Sequence, residues 1–114
     1  MVYIALSGGV FFNNDDKISE WFVSYSTDEI NSIKVELVER PFSIGPHNVN
    51  VLADNELLFS DEIRTKHNVN NKNYSIVWDK NIALLTFRGE KQEDANYEIT
   101  FDGNIVTYRK LENP

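Results

Sequence analysis

The chain has 114 residues, a formal net charge of −7 and no cysteine. Its length predicts a single domain over residues 1–114, and the missing cysteine excludes disulfides, thiol nucleophiles and cysteine zinc sites. A cysteine-free chain without a basic N-terminal region favours a reducing compartment, so we expect a cytoplasmic protein without a signal peptide. No apolar run approaches the ~18 residues that suggest a membrane span, and we expect no membrane partner.

Negative charge is concentrated in the first half of the chain. Residues 1–63 hold 11 acids and 3 bases, whereas residues 64–114 hold 7 acids and 8 bases. Nucleic acid and anionic lipid are therefore poor partners for the first half, and a basic protein is a better one. The plainer alternative is that the acidic balance only keeps a small domain in solution.

Two apolar segments have irregular signals. Residues 2–12 are rich in strand formers, but Gly8 and Gly9 interrupt them, which predicts a tight turn or a bulge within one strand. Residues 41–47 follow a strand that a proline ends, and they read as a loop. The apolar Phe42 and Ile44 on this loop either enter the core or form an exposed binding edge.

Residues 18–25 allow two interpretations. Their bulky apolar side chains recur at i, i+3, i+4 and i+7, which is helical spacing. The same residues are rich in β formers, and we favour a strand from Glu20 onward. Such a strand would have one face formed by Trp21, Val23 and Tyr25.

The middle of the chain alternates strands and turns. Residues 33–37 alternate apolar and charged side chains, which predicts a half-buried strand. Residues 48–52 and 56–60 form a candidate hairpin around Asp54 and Asn55. Residues 60–67 begin with a Ser and two acids that would suit one short helical turn, and residues 68–73, with four asparagines, read as a loop.

Residues 74–111 predict two hairpins in series, which together form a four-stranded meander. With Lys80-Asn81 as the first loop, the expected facing pairs are Tyr74 with Phe87, Ile76 with Leu85, and Trp78 with Ala83. With Asp102-Gly103 as the second loop, they are Phe101 with Asn104, Ile99 with Val106, and Tyr97 with Tyr108.

The resulting fold class is mainly β. About eight or nine short strands with turns every eight to twelve residues predict an antiparallel β-sandwich or a small β-barrel. At most one or two short helices are expected beside them.

The sequence contains no catalytic, cofactor or metal motif. His47 and His67 are the two histidines; both lie on predicted loops without a second ligand at metal-binding spacing, so no metal site is expected. Acidic pairs such as Asp28-Glu29 lie on predicted turns, where solvated carboxylates are far commoner than acid/base catalysts. We therefore predict a protein that is not an enzyme and binds no cofactor.

A short, acidic, cysteine-free β domain resembles the bacterial immunity proteins that neutralise toxins, including those of contact-dependent growth inhibition systems. The resemblance lies in overall character rather than an aligned motif. It implies charge-complementary binding of a basic toxin, often a nuclease, over its active site. The residues that carry it are the acids of the first half: Asp15, Asp16, Glu20, Asp28, Glu29, Glu36, Glu39, Asp54, Glu56, Asp61 and Glu62.

The first functional hypothesis is therefore a non-enzymatic acidic protein that neutralises a basic partner. A carrier of a small lipid-like ligand inside a β-barrel is the alternative, and a small enzyme that uses carboxylates is the third. For the first hypothesis, aromatic residues would supply the buried anchor among the acids. The predicted partner-binding residues are Asp15, Asp16, Glu20, Trp21, Asp28, Glu29, Asp54, Glu56, Asp61 and Glu62.

Overall fold

The computed structural model describes residues 17–39 and 46–113, which form eight strands and, within those residues, no helix. None of the described segments is a helix that could cross a membrane. The strands are β1 (Lys17–Tyr25), β2 (Ser32–Glu39), β3 (His47–Ala53), β4 (Glu56–Ile63), β5 (Tyr74–Asp79), β6 (Ile82–Phe87), β7 (Ala95–Asp102) and β8 (Ile105–Leu111).

Two four-stranded antiparallel sheets, β1-β2-β3-β4 and β5-β6-β7-β8, are each a meander of consecutive strands. Their inner faces share one core, to which both sheets contribute alternate, fully buried side chains. The predicted all-β class is therefore confirmed, and the two separate sheets make it a sandwich. The largest fully buried side chains are Ile33, Val35, Val49, Val51, Ile63, Leu85, Phe87 and Ile99.

Aromatic contacts align the two sheets along both sides of the sandwich. On one side, Phe22 of β1 stacks on Tyr74 of β5, with ring centroids 3.7 Å apart. On the other side, Phe59 of β4 stacks on Tyr97 of β7 at 4.2 Å and on Tyr108 of β8 at 4.6 Å. The strand β1 therefore lies over β5, and β4 lies over β7 and β8.

The bulge at Trp21 explains why residues 18–25 resembled a helix. The register between β1 and β2 shifts between Glu20 and Phe22, which leaves Trp21 as an extra residue. Both Trp21 and Phe22 then pack against the core, so two successive residues point inward. The strand prediction is confirmed, but the predicted face is wrong: the bulge leaves Trp21 with Phe22, not with Val23 and Tyr25.

The predicted four-stranded meander of residues 74–111 is confirmed, with one register error. All three predicted pairs of the first hairpin occur. In the second hairpin, Phe101 pairs with Val106, Ile99 with Tyr108 and Tyr97 with Lys110, so our pairing is wrong by two residues. Gly103 has a φ of 61° and begins the loop Gly103-Asn104, which is where a type II′ turn requires glycine.

The other segments agree with the prediction except at two points, the first being His47, which was predicted on a loop but begins β3 and pairs with Ile63. The strand over residues 33–37, the Asp54-Asn55 hairpin and the loop at 68–73 are all present. The short helical turn predicted for residues 60–67 is wrong, because β4 continues to Ile63 and pairs with β3 there. The predictions for residues 2–12 and for Phe42 and Ile44 lie outside the described residues.

Candidate functional site: an acidic end of the sandwich

Four hairpin turns lie at one end of the sandwich. In a meander, alternate turns share an end, so the β1–β2 turn lies with the β3–β4 turn, and the β5–β6 turn with the β7–β8 turn. The Trp78 indole Nε1 of β5 donates a hydrogen bond of 2.9 Å to Ser24 Oγ of β1, which brings the two pairs of turns to the same end. We call this end, formed by residues 25–32, 53–56, 79–82 and 102–105, the turn end.

The turn end is strongly negative. Closely spaced carboxylates create a negative field that attracts cations and repels other acidic proteins. Within its four segments, all of which the structure describes, six acidic side chains accompany one cationic side chain. They are Asp28, Glu29, Asp54, Glu56, Asp79 and Asp102, with Lys80.

Hydrogen bonds order the acidic loop between β1 and β2. The buried Ser26 hydroxyl donates to Asp28 Oδ1 at 2.6 Å and accepts from the Asn31 backbone N–H at 3.1 Å. The Ile30 backbone N–H also donates to Asp28 Oδ1 at 3.1 Å. The Ser26 and Ile30 hydrogen bonds lower the pKa of Asp28, so its carboxylate stays charged at neutral pH.

The β3–β4 turn is joined to this loop. The Asp54 Oδ1 accepts a hydrogen bond of 2.8 Å from the Ser32 backbone N–H, and the Asp54 N–H donates to the Ser32 carbonyl at 3.0 Å. Asp54 and Asn55 have φ angles of 48° and 70°, which is the geometry of a type I′ hairpin turn. These hydrogen bonds therefore place the acids of the two turns of the first sheet on one surface.

The two turns of the second sheet are also tied together. The Asn81 Nδ2 donates to the Phe101 carbonyl at 2.6 Å, and the Phe101 N–H donates to the Asn81 carbonyl at 2.9 Å. These bonds hold the β5–β6 turn, which follows Asp79, against the end of β7 at Asp102, and both carboxylates are exposed. The turn end is therefore acidic on both sheets.

Exposed apolar side chains lie among these acids. Large hydrophobic residues that are at least a third exposed occur at four positions of the turn end. A protein interface commonly has apolar anchors in its centre and charged residues at its rim. Exposed apolar side chains among acids therefore suit contact with another protein better than contact with solvent alone. The four apolar residues are Tyr25, Ile30, Ile82 and Ile105.

Two described connections at the opposite end have a mixed charge. There, the Arg64 carbonyl accepts from the Glu90 N–H at 2.6 Å, which joins the β4–β5 connection to the β6–β7 connection. These two connections, residues 64–73 and 88–94, carry five cations and three acids. The charged residues are Arg64, Lys66, Lys72, Arg88 and Lys91, with Glu90, Glu93 and Asp94.

Four of the ten predicted partner-binding residues meet at the turn end: Asp28, Glu29, Asp54 and Glu56. Two others, Asp15 and Asp16, lie outside the described residues. Glu20 lies on the outer face of the first sheet, and Trp21 contacts Tyr74 and Phe87 between the sheets. Asp61 and Glu62 lie at the opposite end of β4.

The sequence reasoning missed Asp79 and Asp102. Both residues lie after residue 63, in the half of the chain that has no excess of negative charge. A usable signal existed, because the predicted meander already required its first and third turns to share an end. Each of these turns has an acid directly before the loop.

Glu20 faces a like charge. Its cross-strand partner on β2 is Glu36, and like charges directly opposite each other destabilise a sheet. Lys34, which is two residues away on the same face as Glu36, is the nearest cation along that strand. The pair therefore adds negative charge to this face at a cost in stability.

Replacing Glu36 by Gln is expected to raise the free energy of unfolding by about 0.2–1 kcal/mol, because it removes this repulsion. Urea unfolding at low salt would measure the gain, which added salt should reduce. Glu62→Gln on the same outer face serves as the control, since its partner is Asn48. An equal gain in both variants would point to net charge rather than the pair.

Asp61 has a structural partner. Its Oδ2 accepts a hydrogen bond from the buried Tyr97 hydroxyl across the two sheets. Burial and this bond raise the pKa of Tyr97. Asp61 also lines an open groove of about 570 Å³ at the end opposite the turns, with Gln92, Glu93, Asp94, Ala95, Lys110, Leu111, Glu112 and Asn113.

Replacing Tyr97 by Phe is expected to lower the free energy of unfolding at pH 7 by about 1.5–3 kcal/mol, because Asp61 loses its donor. The raised pKa means that the protonated phenol stabilises the fold fully below its ordinary pKa of about 10. That stabilisation declines as pH rises further, by about 1.4 kcal/mol per pH unit.

Urea unfolding at pH 7 and at about pH 11 would check this expectation. The difference between the wild type and Tyr97→Phe should shrink at the higher pH. Tyr25→Phe is the control, because Tyr25 is exposed. A difference that stays constant with pH would contradict a buried, proton-bearing Tyr97.

No protein-family model, curated protein or solved structure matches this chain. Among residues 17–39 and 46–113, no group of three or more histidine or acidic side chains is arranged to hold a metal ion.

Proposed function

We propose that this protein is a non-enzymatic binding protein that neutralises a basic protein partner through the turn end. The observation that supports this most is the charge of that end, which holds six carboxylates and one lysine. In the cell we expect it to act in the bacterial cytoplasm as an immunity protein against a basic, nuclease-type toxin. The turn end is the surface that we expect to contact the toxin.

The alternative of a lipid carrier has less support. A barrel carrier would hold its ligand between the sheets, but that space is filled by fully buried side chains such as Phe87, Leu85 and Val51. The groove at the opposite end is lined mainly by charged and polar side chains, which suit an apolar ligand poorly.

Charge complementarity predicts strong salt dependence. Charged surfaces steer association, and the rate constant falls steeply when salt screens them. We therefore expect capture of a basic protein from a lysate of the source organism at low salt, with at least a tenfold slower association at high salt. Pull-down followed by surface plasmon resonance would measure both.

A matched pair of variants tests whether the turn end is responsible. The turn-end variant removes four carboxylates that accept no hydrogen bond from the residues that the structure describes, through Glu29→Gln, Glu56→Gln, Asp79→Asn and Asp102→Asn. The control removes four charges elsewhere, through Glu39→Gln, Glu62→Gln, Glu93→Gln and Glu112→Gln. Loss of capture in the turn-end variant alone supports the proposal; equal loss in both would indicate only an effect of net charge.

A further inference from the structure

The outer face of the second sheet carries an apolar stripe. Val77 of β5 pairs directly with Leu84 of β6, and Ile82 lies two residues from Leu84 on the same face. Their exposed fractions are 63%, 40% and 36% for Val77, Leu84 and Ile82. We name these three residues the apolar stripe; it runs from the middle of the sheet to the turn end.

Carboxylates accompany the stripe on this face. The cross-strand partner of Ile82 on β5 is Asp79, and the partner of Leu84 on β7 is Glu98. Glu98 accepts a hydrogen bond of 3.0 Å from Arg109 Nε of β8. This bond balances the charge of Glu98, and Arg88, which donates a hydrogen bond of 3.1 Å to Ser75 Oγ, adds a cation on the same face. The other two carboxylates lie at the turn end, with Asp79 opposite Ile82 and Asp102 opposite Ile105.

This arrangement defines the chemistry of an occupant. A second copy of the chain that covered the stripe as far as the turn end would bring a second set of six carboxylates and one lysine against the first, and such juxtaposition opposes association. A segment with apolar and cationic side chains on one face would cover the stripe and pair with Asp79 and Asp102. Charge complementarity therefore favours a basic protein segment over self-association.

We infer that the apolar stripe and the carboxylates beside it form a docking face for a segment of a basic protein that presents apolar and cationic side chains together. The inference rests on the proposed function, because the turn end supplies the attraction that brings the partner to this face. The affinity of the partner for this face therefore depends on its apolar side chains and not on its charge alone.

Two peptides of equal charge test the inference. One alternates Lys and Leu over about eight residues, the length of an ordinary strand, and the other alternates Lys and Ser. Fluorescence anisotropy at low salt would give both affinities, and amide chemical shifts would locate the bound peptide. We expect the Lys-Leu peptide to bind at least about tenfold more tightly and to shift the amides of β5 and β6.

Exposed variants identify the contact. Val77→Thr with Leu84→Thr keeps β-forming side chains on the surface and should abolish the difference between the peptides. Ile18→Thr is the matched control, because Ile18 is 46% exposed on the other sheet; it should preserve the difference. Thermal unfolding of the variants would establish that they remain folded.

The outcomes separate this inference from the proposal on which it rests. Equal binding of the two peptides, with shifts confined to the turn end, would overturn the docking face and leave the charge-based function intact. Binding of neither peptide at low salt would overturn both. Preference for the Lys-Leu peptide that survives Val77→Thr with Leu84→Thr would place the apolar contact elsewhere and overturn the docking face.

Discussion

Replacing Phe87 by Ala is expected to lower the free energy of unfolding by about 3–5 kcal/mol. Phe87 is fully buried, and its ring stacks on Trp21 at 6.4 Å and meets the edge of Tyr97 at 6.3 Å. The variant loses the buried ring and leaves a cavity between two sheets that cannot easily close. Because small domains are stable by only about 5–15 kcal/mol, the variant should be close to unfolding.

Chemical denaturation would measure this loss, with two comparisons. Phe87→Leu keeps part of the volume and should cost clearly less. Val77→Ala, on the exposed outer face, should change the free energy of unfolding by no more than about 0.5 kcal/mol. A loss below about 1 kcal/mol for Phe87→Ala would mean that the ring does not join the sheets as described.

Replacing Gly89 by Ala is expected to lower the free energy of unfolding by about 1–3 kcal/mol, because there is no space for a side chain at this position. A Cβ atom there would lie 2.5 Å from the Arg64 carbonyl oxygen and closer still to Gln92 Oε1. Both oxygens are engaged: the Arg64 carbonyl accepts from the Glu90 N–H, and Gln92 Oε1 accepts from the Arg64 N–H at 2.7 Å. The methyl group would therefore push the β4–β5 connection, which links the two sheets, away from the β6–β7 connection.

Gly103→Ala provides the comparison for Gly89→Ala. Gly103 has a φ of 61° but no atom within 4 Å of an added Cβ, so its variant reports backbone strain alone, about 1–2 kcal/mol. Thermal and urea unfolding would measure both variants. If Gly89→Ala keeps wild-type stability, the close approach of Arg64 to Gly89 is not required for the sheets to join.

The sequence predicted the local structure of the second sheet well because the apolar pattern and the turn residues agree there. In the hairpin of β5 and β6, a slip by one residue would expose Trp78, Ile76 and Tyr74, so the pairing is well determined. In the hairpin of β7 and β8, a slip by two residues keeps the same faces. The pattern could not exclude it, and the position of Gly103 in its turn decided the register instead.

The candidate site was predicted only in part because its residues meet through topology. Asp28 and Glu29 are adjacent in sequence, but their proximity to Asp54 depends on the order of β1 to β4, and their proximity to Asp79 depends on how the sheets stack. A count of charges along the chain includes neither the order of the strands nor the stacking of the sheets. Likewise, the inward position of Trp21 depends on a bulge, which apolar spacing alone could not distinguish from a helical turn.

The order of the strands has a consequence for how the protein is made. The strand pairs that the structure describes in the first sheet lie within residues 17–63, so this hydrogen-bonded ladder can form on the ribosome before the second sheet has been synthesised. Pairing of neighbouring strands favours fast folding, since little chain entropy is lost in closing short loops. Until residues 74–111 emerge, however, the second sheet does not yet cover the inner face of Ile33, Val35, Val49 and Val51, and aggregation is most expected at that stage.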